Sequence, residues 1–278
     1  MQTILLATDL SPRSDRAFDR ALLLAQEHGA RLDVLHVVDD AVPAATAATL
    51  TADALTSITA RAHDGGGTVS PMVRSGPVAR TILDVAEETN ADLIVMGVPR
   101  EDSLREFFVG TTVERVIRRG RRPVLVVRDR ARARYANVVV GIDFSVHARH
   151  AVEFTARLAP QAGTTLVHAY DVPFKHFLTG RSRDAPLSNK EQQQIDAMLR
   201  KELDAFLAAL PEDVAHGDTA FVEGLVWDAL RAQVRNLKAD LLVVGTHGRT
   251  GVSRALLGSV AQDLLGDPPC DVLAVKAW

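Results

Sequence analysis

The chain has 278 residues, of which 47% are hydrophobic and 24% are charged, a composition typical of a globular protein that is long enough for two domains. Its formal net charge of -3 at pH 7 gives no overall positive field, which argues against nucleic acid or an anionic membrane as a partner. No apolar run reaches the roughly 18 to 20 residues that span a bilayer, and the short apolar stretch that Asp9 interrupts is not a secretory signal, so we expect a cytoplasmic protein.

The first predicted element is a strand, the apolar run 4–7, which is followed by Asp9 and Ser11 in an Asp-x-Ser sequence. A continuous apolar run is typical of a strand that is buried on both faces of a sheet. Ser11 and Pro12 are typical of the N-cap and the first residue of a helix, and Gly29 is typical of its C-terminal end. The sequence therefore predicts a strand that leads directly into a helix.

The next predicted strands of this half lie at 34–39, near 68–73, at 93–97 and at 124–127, with helices between them. Alternation of strands and helices indicates a parallel sheet that is covered by helices on both faces. We therefore expect a Rossmann-like α/β domain with a doubly wound, five-stranded parallel sheet in the order 3-2-1-4-5.

The second half of the chain repeats the first. Residues 138–145 correspond to 4–11, and residues 239–245, Ala-Asp-Leu-Leu-Val-Val-Gly, correspond to 91–97, Ala-Asp-Leu-Ile-Val-Met-Gly. Further strands are predicted at 166–171, 218–222 and 272–275. The second half has an additional polar loop at 173–187, which precedes a helix opened by a capping-box pair, Ser188 and Glu191.

An arginine-rich segment, 128–134, separates the two halves, so we expect domains at 1–130 (the first half) and 136–278 (the second half). Both domains are predicted to have the same fold. The arginines from Arg118 to Arg134 are interpreted as a solvated surface, because those at the end of a helix complement its dipole.

A glycine-containing loop follows the fourth strand of each half. In the second half, Gly245, two residues, Gly248 and nine residues precede the pair Gly258 and Ser259. In the first half, the corresponding positions are Gly97, Arg100, Gly110 and Thr111. The common spacing indicates one ancestral site, in which one glycine has become arginine.

This loop predicts an anion site in the second half. With the strand order 3-2-1-4-5, strands one and four are neighbours, so Asp143 is expected beside the loop that begins at Gly245. Glycines allow backbone N–H groups to approach phosphate oxygens, and the N-terminus of the helix that Gly258 and Ser259 open favours a negative charge. Asp143 is a candidate acceptor for a ribose hydroxyl or a base amino group.

The combination of Gly-x2-Gly-x9-Gly-Ser after an apolar strand with Asp-x-Ser after the first strand resembles the ATP-binding class of universal stress proteins, here as a tandem pair. The stretch 245–251, Gly-Thr-His-Gly-Arg-Thr-Gly, is highly characteristic of that family. The resemblance covers essentially the whole chain.

The resemblance implies that the bound nucleotide is ATP, with or without Mg²⁺, and that the second half holds it. The residues implied to border the adenine, the ribose, the phosphates and the triphosphate end are Asp143, Ala169, Val244, Gly245, Gly248, Arg249, Gly258, Ser259 and Val260. The matching positions of the first half, a weaker candidate site, are Asp9, Val37, Gly97, Arg100, Gly110 and Thr111.

Arg100 is where the first half departs from the family pattern. If that position needs a positive φ, the substitution costs about 1 kcal/mol or reshapes the loop. Alternatively, the guanidinium group of Arg100 itself contacts a phosphate. We expect the second half to be the better nucleotide site.

The resemblance further implies a cytoplasmic stress-response protein that acts as a nucleotide-dependent regulatory or interaction module. Its domains are expected to pair through their last strands, because that pairing covers an exposed apolar edge. A homodimer and a protein partner, which no motif identifies, are also implied.

Two other interpretations stay open: a dimerising scaffold that needs no nucleotide, and a slow ATPase or autophosphorylating protein. No Gly-x4-Gly-Lys-Ser/Thr loop is present, so the sequence favours a binding protein over an enzyme. His247, within the loop, could orient a water molecule but is interpreted as an ordinary loop residue.

The remaining candidate residues are interpreted as structural. His36 and His168 occupy equivalent strand positions, which favours a shared hydrogen bond over a metal site. His147 and His150 lack a suitable third ligand, so no metal is expected. Cys270, the single cysteine, is predicted to be packed as a small apolar side chain.

Overall fold

The computed structural model describes residues 1–98, 111–170, 189–214, 216–246 and 266–277. The strands in these ranges are β1 (Thr3–Thr8), β2 (Arg31–Val38), β3 (Ser70–Ser75), β4 (Leu93–Gly97), β5 (Val124–Val127), β6 (Asn137–Gly141), β7 (Gly163–Tyr170), β8 (Asp218–Glu223), β9 (Leu241–Gly245) and β10 (Asp271–Val275). The helices are α1 (Pro12–His28), α2 (Ala44–Asp64), α3 (Val78–Glu88), α4 (Thr112–Arg119), α5 (Val146–Leu158), α6 (Asn189–Leu207) and α7 (Val226–Asn236). The predicted loop 173–187 and the predicted cap Ser188 lie outside the described residues.

The predicted strand order is confirmed in both halves. The sheet runs β3-β2-β1-β4-β5-β10-β9-β6-β7-β8, so each half contributes five strands in the order 3-2-1-4-5. Neighbouring strands are parallel within each half, whereas β5 and β10 are antiparallel. The two five-stranded sheets are therefore joined into one ten-stranded sheet.

The first strand of each half lies at the centre of that half's core. Leu6 of β1 pairs with Val34 on one side and Val95 on the other, and Val140 of β6 pairs with Leu166 and Val243. All of β1 is buried, as its continuous apolar sequence predicts. Two clusters of buried side chains cover the opposite faces of the sheet, so the burial of apolar surface under helices stabilises both faces.

Local signals set the helix ends. The Ser11 hydroxyl accepts the Ser14 N–H at 3.4 Å, and the Ser145 hydroxyl accepts the Ala148 N–H at 3.2 Å. Gly29 ends α1 with φ of 60°, the left-handed conformation that a glycine adopts without strain. These caps are confirmed as predicted. The third strand begins later than the predicted 68–73, because its residues Ser70–Ser75 pair with β2 over 33–38.

The two halves are joined through their last strands. Leu125 of β5 pairs with Leu273 of β10, and Val126 pairs with Val272. Both strands are completely buried. The pairing implied by the family resemblance is thus present within one chain, and it covers an apolar edge that would otherwise be open to other chains.

A buried ionic cluster lies where the halves meet. The Asp271 carboxylate accepts the Tyr135 hydroxyl at 2.7 Å and lies 3.3 Å from Nε of Arg20. Its other oxygen accepts the backbone N–H groups of Arg128 and Asp129 at 2.8 and 3.1 Å. The side chains of Arg20 and Asp271 are only 6% and 1% exposed. One carboxylate therefore connects α1, the segment between the halves and β10.

Arg20 is enclosed within this cluster. Its guanidinium carbon lies 3.9 Å from the centre of the Tyr135 ring, and Nη1 donates to the Ala133 carbonyl at 2.8 Å. Burial raises the pKa of the Asp271 carboxyl, and the hydrogen bonds from Tyr135 and the backbone, together with Arg20, offset part of that rise. Burial, with the Asp271 charge next, also raises the pKa of Tyr135, which keeps its hydroxyl protonated as a donor.

Two basic side chains cross between the halves in a reciprocal arrangement. Nζ of Lys276, after β10, donates to the carbonyls of Arg118 and Gly120 at 3.0 and 3.3 Å. Arg128, after β5, donates to the Pro268 carbonyl. Arg128 corresponds to Lys276 in the repeat, and Gly120 corresponds to Pro268. Each half thus supplies a cation to the segment before the last strand of the other.

Cys270 is packed as a small apolar side chain, as predicted, within one of the two buried clusters. Its side chain is buried, and burial raises the pKa of the thiol, which keeps it in the neutral, unreactive form. None of the helices in the described part of the chain is long and apolar enough to cross a membrane.

Replacing Asp271 by asparagine is expected to lower the free energy of unfolding by about 3 kcal/mol, because Arg20 would be left buried without a counter-charge. The asparagine amide would also direct N–H groups toward groups that are themselves donors. Denaturant unfolding of the two proteins measures the difference.

The control is Asp84→Asn, which removes an exposed ion pair with Arg80 in which the two side chains are 60% and 78% exposed. This change should alter the unfolding free energy by less than about 0.5 kcal/mol. Equal effects of the two substitutions would contradict a stabilising role for the buried cluster.

Candidate functional site

The carboxyl ends of the central strands of each half form a crevice. In the first half, Thr8 of β1 pairs with His36 of β2, and Ala7 pairs with Met96 of β4. Asp9 follows β1 directly, and Gly97 is the last residue of β4. The point at which strand order reverses lies here, between β1 and β4, as expected for a ligand site in an open α/β sheet.

A cavity of about 280 Å³ occupies the first-half crevice. Its walls combine apolar side chains from β1, β2, β4, α3 and α4 with polar side chains from the loop after β1 and from the start of α1. The lining residues are Ala7, Thr8, Asp9, Ser11, Arg13, Ser14, Leu35, His36, Val37, Val78, Ile82, Met96, Gly97, Val98, Thr112 and Val113. The structure therefore brings together Asp9, Val37 and Gly97, three predicted site residues that are far apart in sequence.

The loop after β1 is held by the Asp9 side chain. Oδ1 of Asp9 accepts the Ser11 N–H at 2.9 Å and the Ser14 hydroxyl. Leu10, between Asp9 and Ser11, has φ of 60°, a left-handed conformation that costs a non-glycine residue about 1–2 kcal/mol. The hydrogen bond from Ser11 to Asp9 closes a turn that maintains this strained conformation.

The second half repeats this loop. Oδ1 of Asp143 accepts the Ser145 N–H at 3.0 Å, and Phe144 has φ of 61°. Ala169 lies near the end of β7, and Val244 and Gly245 end β9. The four described residues that the sequence predicts for the second-half site therefore lie at adjacent strand ends, in the same arrangement as Asp9, Val37 and Gly97.

Gly97 and Gly245 lie where a strand end approaches a helix, and the approach is tighter at Gly245. A β-carbon on Gly245 would lie only 3.0 Å from Cβ of His147, whereas one on Gly97 would make an ordinary van der Waals contact with the Arg13 carbonyl oxygen at 3.4 Å. Neither glycine has a positive φ. The strand ends therefore pack directly against the first turns of α5 and α1, which places both helix N-termini beside the crevices.

The N-terminus of α4 borders the first-half cavity. Thr111 is its N-cap: the hydroxyl accepts the Glu114 N–H at 3.1 Å, and Oε2 of Glu114 accepts the Thr111 N–H at 3.3 Å. Thr112 and Val113, which follow, line the cavity. The predicted residue Thr111 thus caps the helix that borders the crevice. The capping box provides acceptors for the backbone N–H groups of Thr111 and Glu114.

The two equivalent histidines make the predicted structural hydrogen bond. Nδ1 of His36 lies 2.9 Å from the Thr8 carbonyl oxygen, and Nδ1 of His168 lies 2.8 Å from that of Ile142. Because a carbonyl oxygen only accepts, Nδ1 carries the proton in both residues. Each histidine fastens the end of its half's first strand to the second strand.

A further histidine, His147, is oriented by the backbone. Its Nδ1 accepts the Ala277 N–H at 2.9 Å, so this nitrogen is engaged in joining α5 to the segment after β10. Within the described ranges, no group of three or more metal-ligating side chains is present.

Several predicted site residues lie outside the described residues, and their assignments stay predictions. They are Arg100 and Gly110 in the first half, and His247, Gly248, Arg249, Gly258, Ser259 and Val260 in the second.

Sequence reasoning missed part of the cavity wall. Val78, Ile82 and Met96 provide apolar surface, and Arg13 and Ser14 lie at the start of α1. Met96 precedes Gly97 directly, and Ser14 is one turn beyond the predicted cap, so both could have been found from their spacing to the predicted residues. Val78 and Ile82 reach the site only through the packing of α3.

A sequence model of the Universal stress protein family matches residues 1–128 and, separately, residues 134–276. The chain therefore belongs to the Universal stress protein family and has a tandem two-domain architecture.

Some relatives match the whole chain, and others match one half of it. A universal stress protein of Mycolicibacterium smegmatis is 25% identical over 298 residues, which covers 98% of this chain and 96% of the relative. Universal stress protein A homolog 1 of Coxiella burnetii is 29% identical over 143 residues, which covers 51% of this chain and 96% of the relative. The crystal structure of a universal stress protein from Archaeoglobus fulgidus aligns with a TM-score of 0.68 at 17% identity, covering 99% of this chain and 96% of that one, a likeness of fold.

Gly245→Ala is expected to lower the free energy of unfolding by about 1–3 kcal/mol, because the new methyl group would push α5 away from β9. The matched control is Gly266→Ala, since a β-carbon on Gly266 meets no atom within 4 Å. Thermal and denaturant unfolding compare the two. Equal stability of both variants would contradict the packing role of Gly245.

Proposed function

We propose that the protein is a cytoplasmic stress-response protein that binds an adenine nucleotide, with ATP as the main ligand, mostly in the second half. The proposal extends to the domain limits 1–130 and 136–278. In this role the bound nucleotide controls the conformation or the assembly of the chain, which then acts as a regulatory or interaction module.

The observation that carries the proposal is the composition of the first-half cavity. Its lining combines apolar side chains, such as Val37, Val78 and Met96, with polar ones, such as Thr8, Asp9 and Arg13. A flat apolar base joined to a polar sugar and an anionic phosphate needs both kinds of surface. The second half repeats the strand ends that build this cavity.

The proposed roles of the second-half residues follow from the family resemblance. Asp143 accepts a hydrogen bond from the ribose, and Ala169 and Val244 border the base. Gly245 and Gly248 border the sugar and the phosphates. The phosphates are held, with or without Mg²⁺, through backbone N–H groups, the serine hydroxyl and the guanidinium group of Arg249, Gly258, Ser259 and Val260. The weaker first-half site uses Asp9, Val37, Gly97, Arg100, Gly110 and Thr111.

A nucleotide-independent scaffold is the second candidate, and the interface between the halves favours it. The β5–β10 pairing and the buried cluster around Asp271 hold the two halves together through protein groups alone. A scaffold of this kind would assemble into homodimers or bind a protein partner through other surfaces.

The first test counts nucleotides. The protein is purified without added nucleotide and denatured, and the released small molecules are identified by mass spectrometry. We expect about one adenine nucleotide per chain. Two nucleotides per chain would overturn the preference for the second half. No released nucleotide, together with no binding of added ATP and Mg²⁺, would leave the nucleotide-independent scaffold as the remaining candidate.

Matched variants assign the site. Asp143→Ala is expected to reduce ATP affinity by about tenfold or more, because a charge-assisted hydrogen bond to the ribose is lost. Asp9→Ala removes the same turn hydrogen bond in the first half, so it serves as the control for effects on folding. Calorimetric titration with ATP measures both. Equal losses would contradict a predominant second-half site.

A further inference from the structure

The aspartates that follow the first strand of each half have the same turn but different neighbours. In the first half, Oδ1 of Asp9 accepts two hydrogen bonds, from the Ser11 N–H and from the Ser14 hydroxyl. The Ser14 oxygen also accepts the Asp9 N–H at 3.4 Å. Ser14 therefore connects the backbone of Asp9 to its carboxylate and holds that carboxylate in one orientation.

In the second half, the position equivalent to Ser14 is Ala148, whose methyl group donates no hydrogen bond. Within the described part of the chain, Asp143 accepts from the Ser145 N–H alone. Ser14 and Ala148 are both buried, so each lies beneath its loop. The Ser14 hydroxyl is thus a buried donor that Asp9 has and Asp143 lacks.

This donor affects whether the carboxylate oxygen can accept a hydrogen bond from a ligand. A carboxylate oxygen has two lone pairs, so Oδ1 of Asp9 is saturated by its two donors. A ligand hydroxyl that binds this oxygen must displace the Ser14 hydroxyl, which would then be buried without an acceptor. Oδ1 of Asp143 retains a lone pair for an incoming hydroxyl, and no serine fixes its orientation.

We propose that the residue at this position, Ser14 in the first half and Ala148 in the second, determines which aspartate accepts a ribose hydroxyl of the bound nucleotide. The inference rests on the proposed function and deepens it. Ser14 and Ala148 act as positioning residues, since each works through its aspartate. The difference in nucleotide binding between the halves then arises within the loop after the first strand, independently of Arg100.

The test exchanges the two residues and reads out the ribose contact directly. Ala148→Ser is made in an Asp9→Ala background, which reports on the second half. The ligands are ATP and 2′,3′-dideoxy-ATP, which lacks the ribose hydroxyls. Before the exchange we expect ATP to bind about tenfold more tightly than the dideoxy analogue, the value of one charge-assisted hydrogen bond.

Ala148→Ser should abolish that preference by lowering the affinity for ATP about tenfold while leaving the affinity for 2′,3′-dideoxy-ATP unchanged. Ala156→Ser, at a partly buried position later in the same helix, is the matched control and should keep the preference. A general loss of stability would weaken the binding of both ligands equally. The ratio of the two affinities therefore separates an effect on the orientation of Asp143 from an effect on folding.

The reverse exchange is Ser14→Ala in an Asp143→Ala background, which reports on the first half. This change removes one oxygen atom, and it should create or strengthen a preference for ATP over the dideoxy analogue. Persistence of the preference in the Ala148→Ser protein, or no gain of preference in the Ser14→Ala protein, would overturn the inference. Absence of any nucleotide binding by the unaltered protein would overturn the proposed function as well, which distinguishes the two failures.

Discussion

The buried Asp271 carboxylate is the constraint on which the arrangement of the two halves depends. It accepts hydrogen bonds from Tyr135 and from two backbone N–H groups, and it balances the charge of Arg20. These partners come from α1 and from the segment between the halves, whereas Asp271 begins β10. Because a buried charge is costly without partners, the cluster favours one relative placement of the halves over alternatives. The antiparallel pairing of β5 and β10 then continues the sheet across the chain.

The interface also connects the segments that border the crevices. Lys276 reaches the C-terminal end of α4, a helix whose N-terminal residues line the first-half cavity. His147, in the first turn of α5, accepts the Ala277 N–H. The residues that follow β10 therefore contact the first half at Arg118 and Gly120 and the second half at His147. A change at a crevice that moves α4 or α5 has a direct structural route to the interface.

The crevices show which features the two copies of the repeat share and which differ. Both halves keep the aspartate turn, the strained residue at positive φ and the glycine that ends the fourth strand. These shared features concern the backbone, because they determine how closely a helix approaches the sheet. The differences are in side chains, such as Ser14 and Ala148, which leave the backbone unchanged but alter the hydrogen bonds of a neighbouring carboxylate. A duplicated domain can therefore change the hydrogen bonds of a crevice carboxylate while it retains its fold.

The sequence by itself determined the repeat, the order of strands and helices, the helix caps at Ser11, Gly29 and Ser145, and the histidine hydrogen bonds. Each of these depends on local periodicity or on the correspondence between the halves, which are visible along the chain. The family resemblance implied that the halves are joined through their last strands, and the structure added that these strands are antiparallel. Only the tertiary structure identified Arg20, Tyr135 and Asp271 as one cluster, because they are distant in sequence and meet only when the halves pack together. It also showed that Gly245 makes room for α5 and that Ser14 engages Asp9, since these contacts depend on the distances between side chains and backbone after packing.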